Sequence, residues 1–256
     1  MAKIYFIGAG PGDPELITIK GQRIIAEADV IIYAGSLVNP EILKYGKKDV
    51  PVYNSATMNL DEVLKVELES MHKGKTVARV HTGDPAIYGA IQEQMDGLRA
   101  AGVAEEQVEV VPGVSSFLAT AAALKQEYTL PNVSQTIIIT RMEGRTPMPE
   151  KEKLHLLARS QSTMCIFLSA AIVDDVQRQL LQEYPPHTPV AACYHLTWPD
   201  QHIYRGRLDQ LSAIVKDNHL TLTTMIVVGE AIDNRHGLSE LYSSHFTHLF
   251  RKATKE

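Results

Sequence analysis

GAGPGDP, residues 8–14, follows directly on an apolar run, and that junction decides the fold class. Ile4 to Ile7 are apolar and β-prone, the pattern of a strand buried in a parallel sheet. Gly8, Gly10 and Gly12 give the backbone freedom and let other groups approach closely. Asp13 followed by Pro14 is a helix start, with a carboxylate for orphan amides and proline at the first helical position. The spacing predicts a helix over about residues 15–28, with Leu16, Ile19, Ile24 and Ile25 on its apolar side. Strand, glycine turn and helix together make an α/β opening.

A dinucleotide-binding turn would look similar, but the details depart from it. That fingerprint is G-x-G-x-x-G, with an acidic residue about 20 positions on, at the end of the next strand. Here the third glycine comes early, and Pro11 removes an amide from the loop. The second strand, Val30 to Tyr33, runs into Ala34-Gly35-Ser36 with no carboxylate. No Lys-Ser/Thr follows the glycines, so a nucleotide-triphosphate loop fails too.

Composition narrows the class. The chain has 256 residues, enough for one large or two smaller domains. A hydrophobic share of 45% and a charged share of 21% are ordinary for a globular protein. A formal charge of −5 argues against general nucleic-acid binding, so an anionic ligand must meet a local basic cluster. No apolar run approaches the roughly 18 residues of a membrane span. MAKIYFIG enters a strand at once, an opening that leaves no room for a signal peptide. The expected location is the cytoplasm. Cys165 and Cys193 lie in apolar strand-like runs and are expected to be buried thiols, without the spacing of a metal site.

Strand and helix signals alternate along the first half. After the second strand comes a helix near 60–71, a strand over Thr76–Val80 and a helix near 90–100. Val108–Val111 is the next strand, followed by PGVSSF and an alanine-rich helix to Leu124. Such repetition predicts a parallel sheet with helical crossovers. The pattern breaks near YTLPN, so the expected division is an N-terminal α/β domain over 1–127 and a linker over 128–134. A C-terminal α/β domain over 135–232 and a tail over 233–256 follow. Strands are expected near 136–140, 164–169, 190–195 and 225–228, helices near 149–159, 172–183 and 208–216, and a short tail helix over 239–250. Both sheets are expected to be largely parallel.

Three loops each follow a strand: Gly8–Pro14, Thr82–Gly89 and Pro112–Phe117. In a parallel sheet all three emerge at the carboxyl edge, where open α/β sheets bind ligands. Turn chemistry and N-capping explain any one of them. Three together, each with a carboxylate or paired hydroxyls, favour a binding cleft.

GAGPGDPELIT, TGDPAIYG and VVPGVSSF, in this order and spacing, resemble the tetrapyrrole methylases, and the resemblance extends to about Glu230. TRMEGRTPMPE, FLSAAIVDDV and YHLTWPDQ are similar to the branch that methylates a later ring precursor in cobalamin synthesis, rather than to the uroporphyrinogen or precorrin-2 methylases. The resemblance implies two α/β domains with an active-site trough between them, S-adenosylmethionine as methyl donor, and a homodimer. Carried over by motif, the cofactor residues are Pro11, Gly83, Asp84, Ile87, Ser115 and Ser116, then Leu168, Leu196 and Thr224. Gly10 and Tyr88 fall on the substrate side. A macrocycle carbon is the nucleophile, so the chemistry needs no protein nucleophile and no protein-bound metal. The adduct must lose a proton, and Asp84, His81 and His195 are candidate acceptors that the sequence does not choose between.

The family's substrates are polyanionic tetrapyrroles. Arg141 and Arg145, directly after a strand, can each grip a carboxylate in two-point fashion, with Glu143 between them fixing their geometry. No nucleic-acid or membrane partner is expected. Two other classes remain open: a tetrapyrrole carrier without turnover, and a methylase of the same fold acting on a protein side chain, as diphthine synthase does.

Overall fold

The computed structural model describes residues 2–234 and 243–254. It divides into two compact units. One comprises Met1–Ala119 with His195–Gln201, the other Thr120–Tyr194 with His202–Glu256.

The first unit carries an all-parallel sheet in the order β3-β2-β4-β1-β5. Its strands are β1 (Ile4–Gly8), β2 (Val30–Tyr33), β3 (Val52–Asn54), β4 (Val77–His81) and β5 (Val108–Val111). Alternation sorts their side chains, because successive residues point to opposite faces. Ile4, Phe6, Val30, Ile32 and Val77 pack with Met71 of helix α2 (Leu60–His72) and Leu98 of α3 (Ile91–Ala100). Ile7, Ile31, Ala78 and Val80 pack with Ile24 and Ile25 of α1 (Ile19–Glu27). Helix α4 (Ser116–Leu124) follows β5, and the division between units falls within it.

The helix expected over 15–28 is interrupted. Asp13 caps a single 3-10 turn, Pro14–Leu16, by accepting from Glu15 N at 2.9 Å. Thr18 then caps α1, its hydroxyl accepting from Gly21 N at 3.1 Å. Two side-chain caps five residues apart cannot serve one helix, so the chain makes two starts. Ile19, expected on the apolar side, begins α1 and is 85% exposed. Strand β3 has no counterpart in the sequence reading, because VYN is short and wholly exposed.

The second sheet runs β6-β7-β10-β8-β9 and is mixed. Its strands are β6 (Ile137–Arg141), β7 (Thr163–Phe167), β8 (Pro189–Tyr194), β9 (His202–Arg207) and β10 (Thr224–Val228). Only β6 and β7 run parallel; β10 is antiparallel to β7 and β8, and β9 to β8. This corrects the expected largely parallel sheet. Strand β9 was missed: HIYRGR is a half-exposed edge strand with no apolar run, and seven residues are enough to return it antiparallel to β8. Helices α5 (Leu154–Ala158), α6 (Val173–Leu180) and α7 (Leu211–Asp217) cover one face, burying Met164, Ile166, Val190, Ala192, Ile226 and Val228. Residues 128–134, read as a linker, pack inside this unit: Thr163 Oγ1 donates to the Tyr128 carbonyl at 3.0 Å. Cys165 and Cys193 are buried free thiols, and burial pushes each up to about 12. Part of the expected tail helix, 239–242, lies outside the described residues; 243–250 is not helical and forms turns and an isolated bridge from His248 to Arg251.

Candidate functional site

Strands β4, β1 and β5 are neighbours, so their carboxyl ends place three loops side by side. The loops are tied through backbone. Gly83 N donates to the Gly10 carbonyl at 2.8 Å and Gly10 N to the Gly83 carbonyl at 3.3 Å, with both glycines at positive φ. A Cβ on Gly8 or Gly113 would collide with backbone of the neighbouring loops, the Gly83 carbonyl included. The glycines therefore serve loop-to-loop contact, which only a residue without a side chain allows.

Asp84 completes this knot. One carboxylate oxygen accepts from Ala86 N at 2.8 Å in its own loop, the other from Gly113 N at 2.9 Å in the loop after β5. Both oxygens hold backbone amides, which makes Asp84 a strut between loops. Gly10, Pro11, Gly83, Asp84, Ile87, Tyr88, Ser115 and Ser116 all belong to these three loops. Tyr88 stands 45% exposed with φ of 56°, while Ser115 is buried.

A segment from far along the chain covers the first loop; sequence reading singled out His195 and Leu196 within it but gave Thr197 and Trp198 no role. Trp198 Nε1 donates to the Pro11 carbonyl at 3.2 Å, and Thr197 Oγ1 accepts from Asp13 N at 2.9 Å. A Cβ on Gly12 would overlap the Trp198 indole. Asn39 Nδ2 donates to the Gly12 carbonyl at 2.9 Å from the other side. His195 stacks on Trp198, ring centroids 5.0 Å apart, and its Nδ1 lies 2.9 Å from the Asp200 carboxylate. Leu196 is buried in the same segment. The sequence signal was present, since Gly12 is the third glycine of GAGPGDP, but its partner stands 186 positions away.

His81 sits differently. It ends β4 with its ring towards Phe6, centroids 6.0 Å apart, and is 3% exposed. Burial, with the Arg79 charge adding to it, pushes the imidazole down to about 3. So weak a base is a poor proton acceptor. Its neighbours form a buried polar group. Arg79 Nε donates to Gln94 Oε1 at 2.9 Å, and Glu67 lies 4.0 Å from Arg79 Nε. Burial raises Glu67 to about 8 against the opposing pull of Arg79. Neither Glu67 oxygen has a hydrogen-bond partner among the described residues.

The second unit gathers its candidates along one edge as well. Arg141 is in register with Phe167, and Thr224 with Tyr194. Because β10 runs against β7 and β8, its first residue lies beside their last ones. Leu168 follows β7 with φ of 53° and is 60% exposed; Thr223 precedes β10 with φ of 59°. Side chains bearing a Cβ seldom adopt this conformation, and such strain concentrates at functional sites. Thr224 is 7% exposed and its hydroxyl has no hydrogen-bond partner among the described residues.

The loop after β6 does not hold its two arginines alike. Arg141 Nη2 donates to the Pro147 carbonyl at 2.8 Å, and Nη1 to those of Thr146 and Met142 at 3.3 and 3.4 Å. Arg145 is exposed, with no hydrogen bond or ion pair among the described residues, and Glu143 pairs with neither arginine. The geometry expected of Glu143 comes from main-chain carbonyls instead. Among the described residues no three His, Cys, Asp or Glu side chains converge as a metal site, and no helix is long and apolar enough to cross a membrane.

Comparison with known proteins places this geometry. Residues 3–212 match the model of the tetrapyrrole (corrin/porphyrin) methylases. The chain is 53% identical over 256 residues to a cobalt-precorrin-4 C(11)-methyltransferase of Methanocaldococcus jannaschii, covering 99% of this chain and 98% of that protein. It is 44% identical over 249 residues to a precorrin-4 C(11)-methyltransferase of Pseudomonas aeruginosa, covering 97% and 98%. Among solved structures, a cobalt precorrin-4 methyltransferase of cobalamin biosynthesis superposes with a TM-score of 0.87 at 45% identity, over 91% of this chain and 96% of that one.

Proposed function

This chain belongs to the tetrapyrrole (corrin/porphyrin) methylases, and from that premise we propose that it methylates C-11 of cobalt-precorrin-4 or precorrin-4 in cobalamin synthesis, with S-adenosylmethionine as donor. The observation that carries the reading is the end-to-end likeness to enzymes named for that reaction, at 53% identity in one case.

Bound S-adenosylmethionine supplies an electrophilic methyl group. The residues present suit such a ligand. The buried Thr224 hydroxyl lacks a hydrogen-bond partner among the described residues, and Ser115 and Ser116 stand where α4 begins. Pro11, Gly83, Ile87, Ser115 and Ser116 of the first unit, with Leu168, Leu196 and Thr224, are its proposed contacts. Asp84 acts on that set by fixing the loops after β4 and β5 relative to each other. Gly10, the exposed Tyr88 ring and Arg145 are assigned to the macrocycle, and Glu143, which pairs with neither arginine, is left without a part in holding it. Its reacting carbon is the nucleophile, so the chain's part is to orient the reactants and exclude water. A homodimer, which rests on the family resemblance, and a cytoplasmic location, which rests on the sequence reading, belong to the same proposal.

The test is incubation with methyl-labelled S-adenosylmethionine and each of precorrin-4 and cobalt-precorrin-4. Label at C-11 is the expected result, and the preferred precursor identifies the metal state of the substrate. Label at another ring position, or transfer only to uroporphyrinogen III or to a protein, would overturn the assignment.

A further inference from the structure

Arg141 and Arg145 bracket one loop, and the structure uses them in opposite ways. Arg141 ends β6, and its guanidinium turns back onto the carbonyls of Met142, Thr146 and Pro147. The base of the loop is pinned separately. Met142 N donates to Ser169 Oγ at 2.9 Å, and that fully buried hydroxyl donates to the Phe167 carbonyl at 2.7 Å. At the apex, Glu143, Gly144 and Arg145 are exposed. A guanidinium presents its donors in a fixed planar fork. Three of the five Arg141 donors, both on Nη1 and one on Nη2, are thereby spent on its own loop, which leaves the guanidinium oriented by the loop and not by a ligand.

We propose that Arg141 is a positioning residue that staples the 142–147 loop, and that Arg145 is the cation that meets a substrate carboxylate. The proposal rests on the tetrapyrrole-methylase reading and divides roles within that site. A loop closed on its own arginine presents one guanidinium at a fixed place along the edge that holds Leu168 and Thr224. Such a device recognises where a carboxylate sits on the macrocycle rim rather than how many there are, because ordering the loop beforehand removes that cost from binding. Arg145, which has no hydrogen bond or ion pair among the described residues, offers its fork to the ligand.

Trypsin reads the staple without any ligand, by cleavage between Arg145 and Thr146. Arg141→Ala should speed that cleavage on the order of tenfold, the equivalent of about one net hydrogen bond lost from the closed loop. Arg141→Lys should stay fast, since an ammonium cannot span three carbonyls as a planar fork does. Binding is read by absorbance titration with uroporphyrin III, a stable polycarboxylate macrocycle. Arg145→Ala should weaken it roughly tenfold to a hundredfold and flatten its salt dependence. Arg141→Ala should weaken it less and keep the salt dependence. Calorimetry with S-adenosylhomocysteine should show near wild-type affinity in both variants. Unchanged cleavage in Arg141→Ala, or a salt dependence flattened as fully as in Arg145→Ala, would overturn the staple. Faster cleavage with unchanged uroporphyrin binding in both would overturn the Arg145 role. Methyl transfer by the wild-type enzyme, assayed separately, keeps that result distinct from failure of the functional reading.

Discussion

The two candidate edges are built from opposite materials. In the first unit, loops meet through main chain: Gly10 and Gly83 exchange amide hydrogen bonds, Gly8 lies against Gly113, and the Asp84 carboxylate accepts amides from two loops. Where these loops cross in left-handed backbone they use glycine. The second edge places Leu168 and Thr223 in that conformation and closes its loop with the long side chain of Arg141. The first edge has no room to spare where its loops cross, with its strain lying beyond the crossing, at Tyr88; the second holds strain at Leu168 and Thr223. Substitutions that add a methyl should therefore break the first, while substitutions that remove a side chain should relax the second.

The largest effect is expected at the first edge. Gly113→Ala places a Cβ against the Gly83 carbonyl and Gly8, so main chain must move. The cost should be about 3 kcal/mol or more, at the upper end for overpacking. Urea unfolding that shows a loss under 1 kcal/mol would mean the loops are looser than described.

Next comes pH, which acts on the first unit through its buried polar group. Glu67 rises from 4.5 to about 8 on folding, so its stabilising contribution is complete below pH 4.5 and is lost as pH climbs towards 8. His81 falls from 6.5 to about 3, so its contribution is complete above pH 6.5 and is lost as pH drops towards 3. Between 4.5 and 6.5 the two slopes oppose and should nearly cancel. Above 6.5 Glu67 acts alone, with a decline of up to about 1.4 kcal/mol per pH unit. Glu67→Gln should flatten that limb in urea titrations at pH 6.5, 7.2 and 8.0. A wild-type stability that rises over this range would contradict a neutral buried Glu67.

Asp84→Ala should cost about 1–3 kcal/mol, because two amides lose a charged acceptor. Affinity for S-adenosylhomocysteine should fall with it as the loops separate. Unchanged affinity and unchanged stability together would remove Asp84 from both roles. The smallest effect, opposite in sign, belongs to the second edge. Leu168→Gly should gain about 0.5–1 kcal/mol, the relieved strain exceeding the added freedom of the unfolded chain. Cofactor affinity should drop at the same time, since Leu168 is a proposed contact. A stability loss in thermal unfolding would show that the exposed Leu168 is held by packing instead.

Much of this was legible beforehand, and the boundary has a physical cause. Strand β1, the turn after it and the buried residues Ile4, Phe6 and Ile7 follow from local signals: an apolar run, glycine spacing and a capping Asp-Pro. The three loops were placed at one edge because parallel strands leave no alternative. The missed elements carry little local signal. VYN and HIYRGR are edge strands whose identity comes from β2 and β8, and the break at Thr18 arises where two capping side chains compete five residues apart.

By itself the sequence determined the α/β class, the order of the strands that carry loops, and the family, since short-range periodicity and turn chemistry suffice for each. Only the tertiary structure decided what the charged residues in those loops do. Asp84 and Arg141 both invited a ligand contact from their positions. Asp84 accepts an amide 29 residues away, and Arg141 folds its own loop. Likewise Gly12 is small because Trp198, brought from beyond β8, rests on it. A residue type and its spacing state which hydrogen bonds a side chain is able to make. Which of them it makes depends on the groups that chain closure brings within 3 Å, and those come from distant parts of the sequence.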